Sequence, residues 1–373
     1  MCQLAFAALM GMLCRLRVEL NPIEWTVNLV NETPYRASWI NYVLAWIDGL
    51  PIPAFVFYLL VYGTFLGLVH LAAWLEGFLP FGRFHSEFAF DMVWVPFGLG
   101  YIHLMERSAA RSIQEFRPAL AVDDDEFAMI AYRFTTLPAL PVLGLTLLGL
   151  MIGWSEALGI VSILRPDNGL SLSFVMLGVL SASGYAFLPV WIFAAIRHLV
   201  HINQLFGRVA GLNLFNLQPL YGLANVTMIV AIFFILIANM NYASEMFLGT
   251  RTMSSPENVV LFSGAILGLG LIVIIVPLLG IHRRIEQEKR QLLAEAAQDI
   301  EDLRRQLSAE VRGGGYQQIQ HIEKALNAVF QLRTNIQAVP AWPWRPGTLR
   351  NFGTAILLPL VIWLAQRLLA PLF

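Results

Sequence analysis

The side chains best suited to chemistry form two groups in an otherwise apolar chain. The first group is mainly acidic and lies at one end, predicted to be the outer end, of the first three hydrophobic segments. Its members are His70, Glu76, Arg83, His85, Glu87, Asp91 and Glu156. Carboxylates within a membrane commonly have a function, and hard cations prefer oxygen ligands. We therefore predict that His70, Glu87, Asp91 and Glu156 bind a cation or a small cationic ligand. The alternative is a solvated rim in which Asp91 pairs with Arg83.

The second group consists of histidines at the opposite ends of hydrophobic segments: His103, His198, His201 and His282. His198 and His201 are weak candidates for a metal site, which Glu106 or His282 would complete. The alternative is that all four lie near helix C-termini, where the helix dipole favours positive charge. Since no metal-binding spacing recurs, we predict no metal and no other cofactor. The chain also lacks the serine-hydrolase, P-loop, zinc-protease and dinucleotide-binding motifs, so we predict that it is not an enzyme.

The elements that carry these residues are long segments without charge. Hydrophobic residues make up 57% of the chain and charged residues 13%, whereas soluble domains carry about a quarter charged residues. A helix needs about 20 apolar residues to cross a bilayer, and the charge-free segments approach or exceed that length. We therefore predict an all-α polytopic membrane bundle with seven spans, at 51–75, 88–105, 137–158, 171–200, 221–240, 258–281 and 351–372.

The basic residues predict the orientation of these spans. If the N-terminus is inside, 20 of the 24 lysines and arginines lie in or next to cytosolic segments, as the positive-inside rule requires. The C-terminus then lies outside. We predict a cytosolic or interfacial segment at 1–50, spans 1 to 6 within 51–281, a cytosolic helical hairpin at 282–348 and span 7 within 349–373. The expected location is the inner (plasma) membrane.

The cytosolic hairpin is predicted from two apolar stripes that flank three glycines at 313–315. The stripes repeat at intervals of three and four residues: Leu293, Ala296, Ile300, Leu303 and Leu307, then Ile319, Ile322, Leu326 and Val329. Glycine favours a turn over a helix interior. Each arm has only one narrow apolar stripe, which is typical of coiled-coil packing against the other arm or another subunit.

Three further patterns concern helix packing. GxxxG pairs occur at Gly63/Gly67, Gly149/Gly153 and Gly264/Gly268. They allow two helices to approach closely, either within one subunit or between subunits, and we expect mainly contacts within one subunit. The helical pattern of span 4 continues to about Phe206, beyond the bilayer. Residues 36–48 are predicted to form a short amphipathic helix on the inner surface.

Two stretches, 106–138 and 205–224, resemble an uncharacterised family of bacterial multi-pass membrane proteins. In its layout the chain also resembles the insect odorant and gustatory receptors, which are tetrameric cation channels with seven spans, an internal N-terminus, an extended fourth helix and a cytosolic anchor before a pore-lining seventh helix. The gustatory signature in that helix is absent here, since only Thr354 and Gln366 match its residue types. The resemblance therefore transfers no functional residue.

The resemblance implies a homo-oligomeric, tetrameric channel, gated by a small-molecule ligand and conducting cations. The residue types of span 7, rather than the resemblance, give the pore-lining candidates Thr354, Leu360, Trp363 and Gln366, because pore walls need only occasional polar groups. The alternatives are a sensory or scaffolding protein whose hairpin recruits a cytosolic partner, or a transporter. The net charge of −1 predicts no nucleic-acid partner, so the expected partners are the lipid bilayer and further copies of the chain.

Overall fold

The computed structural model describes residues 33–164, 172–209, 213–243, 270–313 and 316–344, with single positions 264, 265, 268 and 353. In these ranges the only regular elements are helices. They are α1 (Trp39–Asp48), α2 (Ala54–Leu75), α3 (Ser86–Asp91), α4 (Trp94–Phe116), α5 (Asp124–Thr135), α6 (Ala139–Leu164), α7 (Leu172–Tyr185), α8 (Phe187–Gly207), α9 (Gln218–Ala243), α10 (Leu279–Gly313) and α11 (Tyr316–Ala338), with single turns of 3₁₀ helix at Arg117–Ala119 and Val276–Leu278.

Four helical units in the described ranges are long and apolar enough to cross a membrane: Ala54–Leu75, Ser86–Ala119, Leu172–Gly207 and Gln218–Met240. They coincide with predicted spans 1, 2, 4 and 5. Predicted span 3 coincides with α6, in which Ala139–Ser155 is a shorter apolar stretch. Of predicted span 6, residues 258–263, 266, 267 and 269 lie outside the described residues, as does all of span 7 except position 353.

Prolines explain where two of the long units break. Pro96 and Pro189 each lack an N–H, and each ring interferes with the carbonyl four residues earlier. Those residues are Met92 and Tyr185, where α3 gives way to α4 and α7 ends before α8. The unit Leu172–Gly207 has 36 residues, or about 54 Å at 1.5 Å per residue, so the predicted extension of the fourth segment is confirmed.

Two hydrophobic cores are stacked along the bundle. The first joins α1, α2, α4, α8 and α9 through aromatic side chains such as Phe97, Trp191 and Phe233. The second joins the last turns of α4 and α8 to α5 and to the beginning of α10, through residues such as Phe116, Phe134 and Ile281. The helices that cross the first core therefore continue into a second, smaller bundle at the end where α1 lies. We call this end of the molecule the α1 end.

The acidic run at 123–126 marks a helix start, as the preference of acidic residues for helix N-termini predicts. The Asp123 side chain caps α5 by accepting a 2.8 Å hydrogen bond from the amide of Glu126. Three acidic residues then occupy the first turn of α5.

The three GxxxG pairs lie in different surroundings. A Cβ atom added at Gly153 would lie 2.7 Å from the Cα of Ala182, and one at Gly149 would lie 2.7 Å from the Cα of Ala186. This pair therefore brings α6 onto the backbone of α7 and α8, as predicted for contacts within one subunit. At Gly63/Gly67 and Gly264/Gly268 no described atom lies within 4 Å of an added Cβ, so the prediction is confirmed for Gly149/Gly153 and stays a prediction for the other two pairs.

The glycines at 313–315 separate two helices that pack along each other, α10 and α11. Ala296 and Ile322 are buried, and the other residues of the two predicted stripes are half-buried. The neighbouring positions in both arms are mostly exposed and polar, so the stripes form the seam of the hairpin. At the base, Lys289 donates 2.7 Å hydrogen bonds to the carbonyls of Gln337 and Val339 and thereby closes the end of α11.

Candidate functional site

The most connected group of polar side chains lies at the α1 end, where α1 crosses the bundle. Its members are Asn41 and Asp48 of α1, Tyr58 of α2, and His103, Glu106 and Arg107 of α4. Ser38 starts α1 with a capping box, in which its side chain and that of Asn41 each bond the other residue's backbone amide. Because both ends of α1 carry polar residues, the helix is tied to α4 at two separate points.

The first tie is a chain of three groups: hydroxyl, imidazole and carboxylate. The Tyr58 hydroxyl lies 2.8 Å from His103 Nδ1, and His103 Nε2 lies 2.9 Å from Asp48 Oδ1. The contact between His103 and Asp48 is short enough for an ion pair, but its angles do not meet those of a hydrogen bond. With the ring proton on Nε2, Tyr58 donates to Nδ1 and the carboxylate faces the N–H side of the ring. Arg107 pairs with the same carboxylate oxygen.

The second tie joins the first turn of α1 to α4. The Asn41 amide donates a 2.7 Å hydrogen bond to Glu106 Oε1. Its oxygen accepts from the amide of Leu137 at 3.1 Å and from the Ser38 hydroxyl at 2.8 Å. Asn41 therefore connects α1, α4 and the start of α6 through a single side chain. Asn41 is half-buried and has partners on three segments, so moving any one of these segments leaves a polar group unpaired.

Asp48 is the charged centre of this polar group. Burial raises the pKa of Asp48, but the contacts with His103 and Arg107 outweigh it, and the pKa of this carboxyl lies below its ordinary value. A lowered folded-state pKa means that the ionised group stabilises the fold above the ordinary carboxyl range, at about pH 4. The stabilisation is lost as the pH falls through the lowered value.

Replacing Asp48 with asparagine is therefore expected to lower the melting temperature at neutral pH by about 2 °C. This corresponds to about 1 kcal/mol, since the side chains of Asp48 and Arg107 are 42% and 43% exposed and solvent screens the pair. The difference should shrink as the pH falls below about 4. Thermal unfolding in detergent measures it, with Asp302→Asn on the exposed surface of α10 as the control. Equal melting temperatures at neutral pH would contradict this role of Asp48.

A neighbouring clamp holds the segment that leads into α1. Arg197 of α8 pairs with the Tyr35 hydroxyl, lies over its ring with Cζ 5.1 Å from the centroid, and donates to the carbonyl of Arg133 at 2.6 Å. Tyr132 donates a 2.8 Å hydrogen bond to the carbonyl of Tyr35. The entry to α1 is therefore attached to α5 and α8 as well.

The described members of the predicted acidic group lie at the opposite end of the bundle. The structure gives both ring nitrogens of His70 protein partners, the carbonyl of Leu66 at 2.9 Å and the amide of His85 at 3.0 Å. Asp91 is partly buried beside Ser181, and Glu87 lies one turn before it. Glu156 belongs to α6, but its side chain lies outside the described residues.

Glu76 has a structural role at that end. Its carboxylate accepts hydrogen bonds from the amides of Leu172 and Ser173 and from the Ser173 hydroxyl. It therefore caps the first turn of α7 from a residue that follows α2. Within the described ranges, no group of three or more His, Cys, Asp or Glu residues is placed to hold a metal ion. The cation site at His70, Glu87, Asp91 and Glu156 stays a prediction.

The four histidines grouped by the sequence lie in four different surroundings. His198 is buried, with Nδ1 2.7 Å from the carbonyl of Ala194, and His201 contacts the Gln204 side chain at 3.2 Å. His103 belongs to the polar group at the α1 end. His282 lies 2.9 Å from the carbonyl of Ala341 and stacks on an aromatic ring described next. His198 Nε2 is buried without a hydrogen-bond partner among the described residues, and the weak metal candidates His198 and His201 stay a prediction.

Three rings stack where the hairpin joins the bundle. The rings of His282 and Trp342 lie 4.1 Å apart and nearly parallel, and those of Trp342 and Trp344 lie 4.7 Å apart. Trp344 also packs against the core formed by α9 and Ile274. This stack joins the first turn of α10 to the segment that precedes the seventh hydrophobic stretch. The pore-lining candidates Thr354, Leu360, Trp363 and Gln366 lie outside the described residues.

Sequence reasoning missed Asp48 and Tyr58 as members of a site. The available signal was Asp48 itself, which is the last charge before a charge-free stretch of 27 residues at 49–75. Its partners are 55 and 59 positions away in the chain, so no local spacing indicates them. Comparison of the chain with protein-family models, with curated proteins and with solved structures finds no match.

Proposed function

We propose that this protein is a homo-oligomeric channel of the inner (plasma) membrane, with the hairpin in the cytosol and the ion path between subunits. The interior of the first core supports a path outside the single chain. Phe97 and Tyr101 both stack on Phe233, with ring centroids 5.2 and 3.5 Å away, and Trp191 meets the same ring edge-on at 5.0 Å. Rings packed at these distances leave no room for a hydrated ion along that part of the core.

The observation that carries the proposal is the stack of His282, Trp342 and Trp344. It lies between the base of the hairpin and residues 351–372, which carry the pore-lining candidates. Stacked aromatic rings resist separation, so a displacement of α10 would be passed to the chain just before this segment. A hairpin shared among subunits and coupled in this way to a pore segment is the arrangement that a gated channel requires.

The test is a recording from the full chain reconstituted in planar bilayers under a salt gradient. We expect currents, and we expect Gln366→Glu to increase the preference for cations, because it places a carboxylate in each copy of the pore wall. The matched control is Gln298→Glu, the same substitution on the exposed surface of α10, which should leave the selectivity unchanged. The absence of current at every applied potential would overturn the channel proposal. Equal selectivity of all three proteins would overturn the placement of Gln366 in the pore wall.

The competing function is a scaffold that recruits a cytosolic partner, and the hairpin is the observation that favours it. α10 has 35 residues, about 52 Å at 1.5 Å per residue, and its outer surface carries ion pairs such as Arg290–Glu286 and Arg304–Glu301. Three apolar side chains, Val311, Phe330 and Leu332, are also exposed on the hairpin. The mass of the purified complex separates the two functions, since a channel between subunits requires an oligomer and a scaffold does not.

A further inference from the structure

The two faces of α1 differ sharply in exposure. Ile40, Leu44 and Ile47 are at most 3% exposed and belong to the first core. On the opposite face, Tyr42 and Trp46 are 67% and 58% exposed, although both have large apolar rings. They are four residues apart, so the two rings stand side by side on the helix surface.

The place of α1 in the bundle indicates what this aromatic face meets. α1 has 10 residues, about 15 Å at 1.5 Å per residue, and it crosses from the start of α6 to the start of α2. Trp39 donates a 3.1 Å hydrogen bond to Thr146 of α6, and the rings of Trp46 and Phe57 of α2 lie 5.6 Å apart. The helix therefore lies across the ends of segments that are apolar enough to cross a membrane.

The exposed face of α1 is continuous with an exposed apolar surface on α2. Two and three residues beyond Phe57, Leu59 and Leu60 of α2 are exposed, and few residues of this candidate span are buried by the described part of the chain. Aromatic rings with a polar edge, next to such a surface, have the chemistry of the boundary between hydrocarbon and headgroups. A protein partner at the same place would also have to cover the leucines of α2, which are suited to lipid.

The polar ties to α4 hold this face in one orientation. Asn41 bonds to Glu106, and Asp48 contacts His103 and Arg107, on the flank of α1 that faces α4. With both ties in place, α1 cannot rotate its rings into the core without leaving buried polar groups unpaired. The exposure of Tyr42 and Trp46 is therefore built into the packing.

We propose that Tyr42 and Trp46 form a docking surface for the headgroup layer of the lipid bilayer, so that α1 lies in the membrane interface and anchors the α1 end there. The rings enter the boundary between headgroups and acyl chains, about 5–10 Å deep, which is the usual depth for an interfacial helix. This proposal is independent of ion conduction, since a scaffold with the same helices would be anchored in the same way.

The test measures depth with spin labels on the full chain in phosphatidylcholine vesicles that contain phosphatidylglycerol. Labels are placed through Tyr42→Cys and Trp46→Cys after Cys2 and Cys14 are replaced by serine. Oxygen concentrates in the hydrocarbon and a nickel chelate stays in water, so the ratio of the two accessibilities reports depth. We expect ratios between those of a control label at Leu60 of α2 and one at Gln298 of α10. A ratio equal to that at Gln298, or labels closed to both reagents because protein covers them, would overturn the proposal.

A second measurement avoids the labels and keeps a ring at the site. The difference in tryptophan emission between the parent protein and Trp46→Phe isolates the indole of Trp46. We expect brominated phosphatidylcholine to quench this difference, and bromines near the headgroup to quench it more than bromines near the chain ends. No quenching by any brominated lipid would place Trp46 outside the bilayer and overturn the proposal.

Discussion

A valine in place of Gly153 is expected to disrupt the packing of α6 and to lower the free energy of unfolding by about 3 kcal/mol, the upper range for overpacking. A Cβ atom at this position would lie 2.7 Å from the Cα and 2.8 Å from the carbonyl oxygen of Ala182. These are backbone atoms of α7, so they cannot turn aside as a side chain end can. Thermal unfolding in detergent and the yield of folded protein measure the loss.

The chain supplies its own control for this experiment. Gly63 lies in the same motif on α2, and no described atom lies within 4 Å of an added Cβ there. Gly63→Val changes helix propensity by the same amount as Gly153→Val, so the difference between the two variants isolates the packing contact. We expect Gly63→Val to change stability by no more than about 0.5 kcal/mol. Equal losses in both variants would show that α6 does not approach α7 as described.

In intact spheroplasts, an impermeant maleimide is expected to label one of two single-cysteine variants completely and the other not at all. With Cys2 and Cys14 replaced by serine, a cysteine at Phe81 should be labelled and a cysteine at Gln298 should be protected. Phe81 is 88% exposed in the loop between α2 and α3, and Gln298 is exposed on α10. The reason is the positive-inside rule, because the predicted topology puts 20 of the 24 basic residues on the same side of the membrane as the hairpin.

Permeabilised membranes provide the control for reactivity, since both cysteines should then be labelled. The reverse pattern in intact spheroplasts would place the hairpin outside and would contradict a cytosolic anchor. Labelling of both cysteines without permeabilisation would mean that α2 does not cross the membrane. Either result would also remove the basis for a pore segment that starts from the cytosolic side.

Features that depend on neighbouring residues were predictable from the sequence. Within the described ranges the charge-free stretches coincide with helices, the acidic run at 123–126 begins α5, and the glycines at 313–315 separate two helices with facing stripes. The break of the unit Leu172–Gly207 before Pro189 was not predicted, although its cause, the missing N–H and the ring of Pro189, is equally local. In each case the physical cause acts over one or two helical turns, within the range that a local pattern records.

The candidate site was not predictable in the same way. Glu106 was considered as a companion of a metal-binding histidine pair, and His103 as one of four histidines at helix ends. Their partners in the structure are Asn41 for Glu106, and Asp48 and Tyr58 for His103. These contacts join residues 45 to 65 positions apart, and they exist because α1 folds back across α4. Similarly, His70 is a residue type that often binds ligands, yet it accepts a hydrogen bond from the amide of His85 and so holds the loop between α2 and α3.

The sequence by itself determined which segments are helical, which faces are apolar and where helices begin and break, because these properties follow from residue type and local period. Only the tertiary structure decided which faces meet. The GxxxG pair of α6 packs on α7 and α8 while the same motif in α2 remains uncovered in the described chain. The apolar face of α1 enters the core and its two rings point outward. Pairing depends on contacts between residues far apart in the chain, and helical periodicity carries no record of which helix will lie opposite.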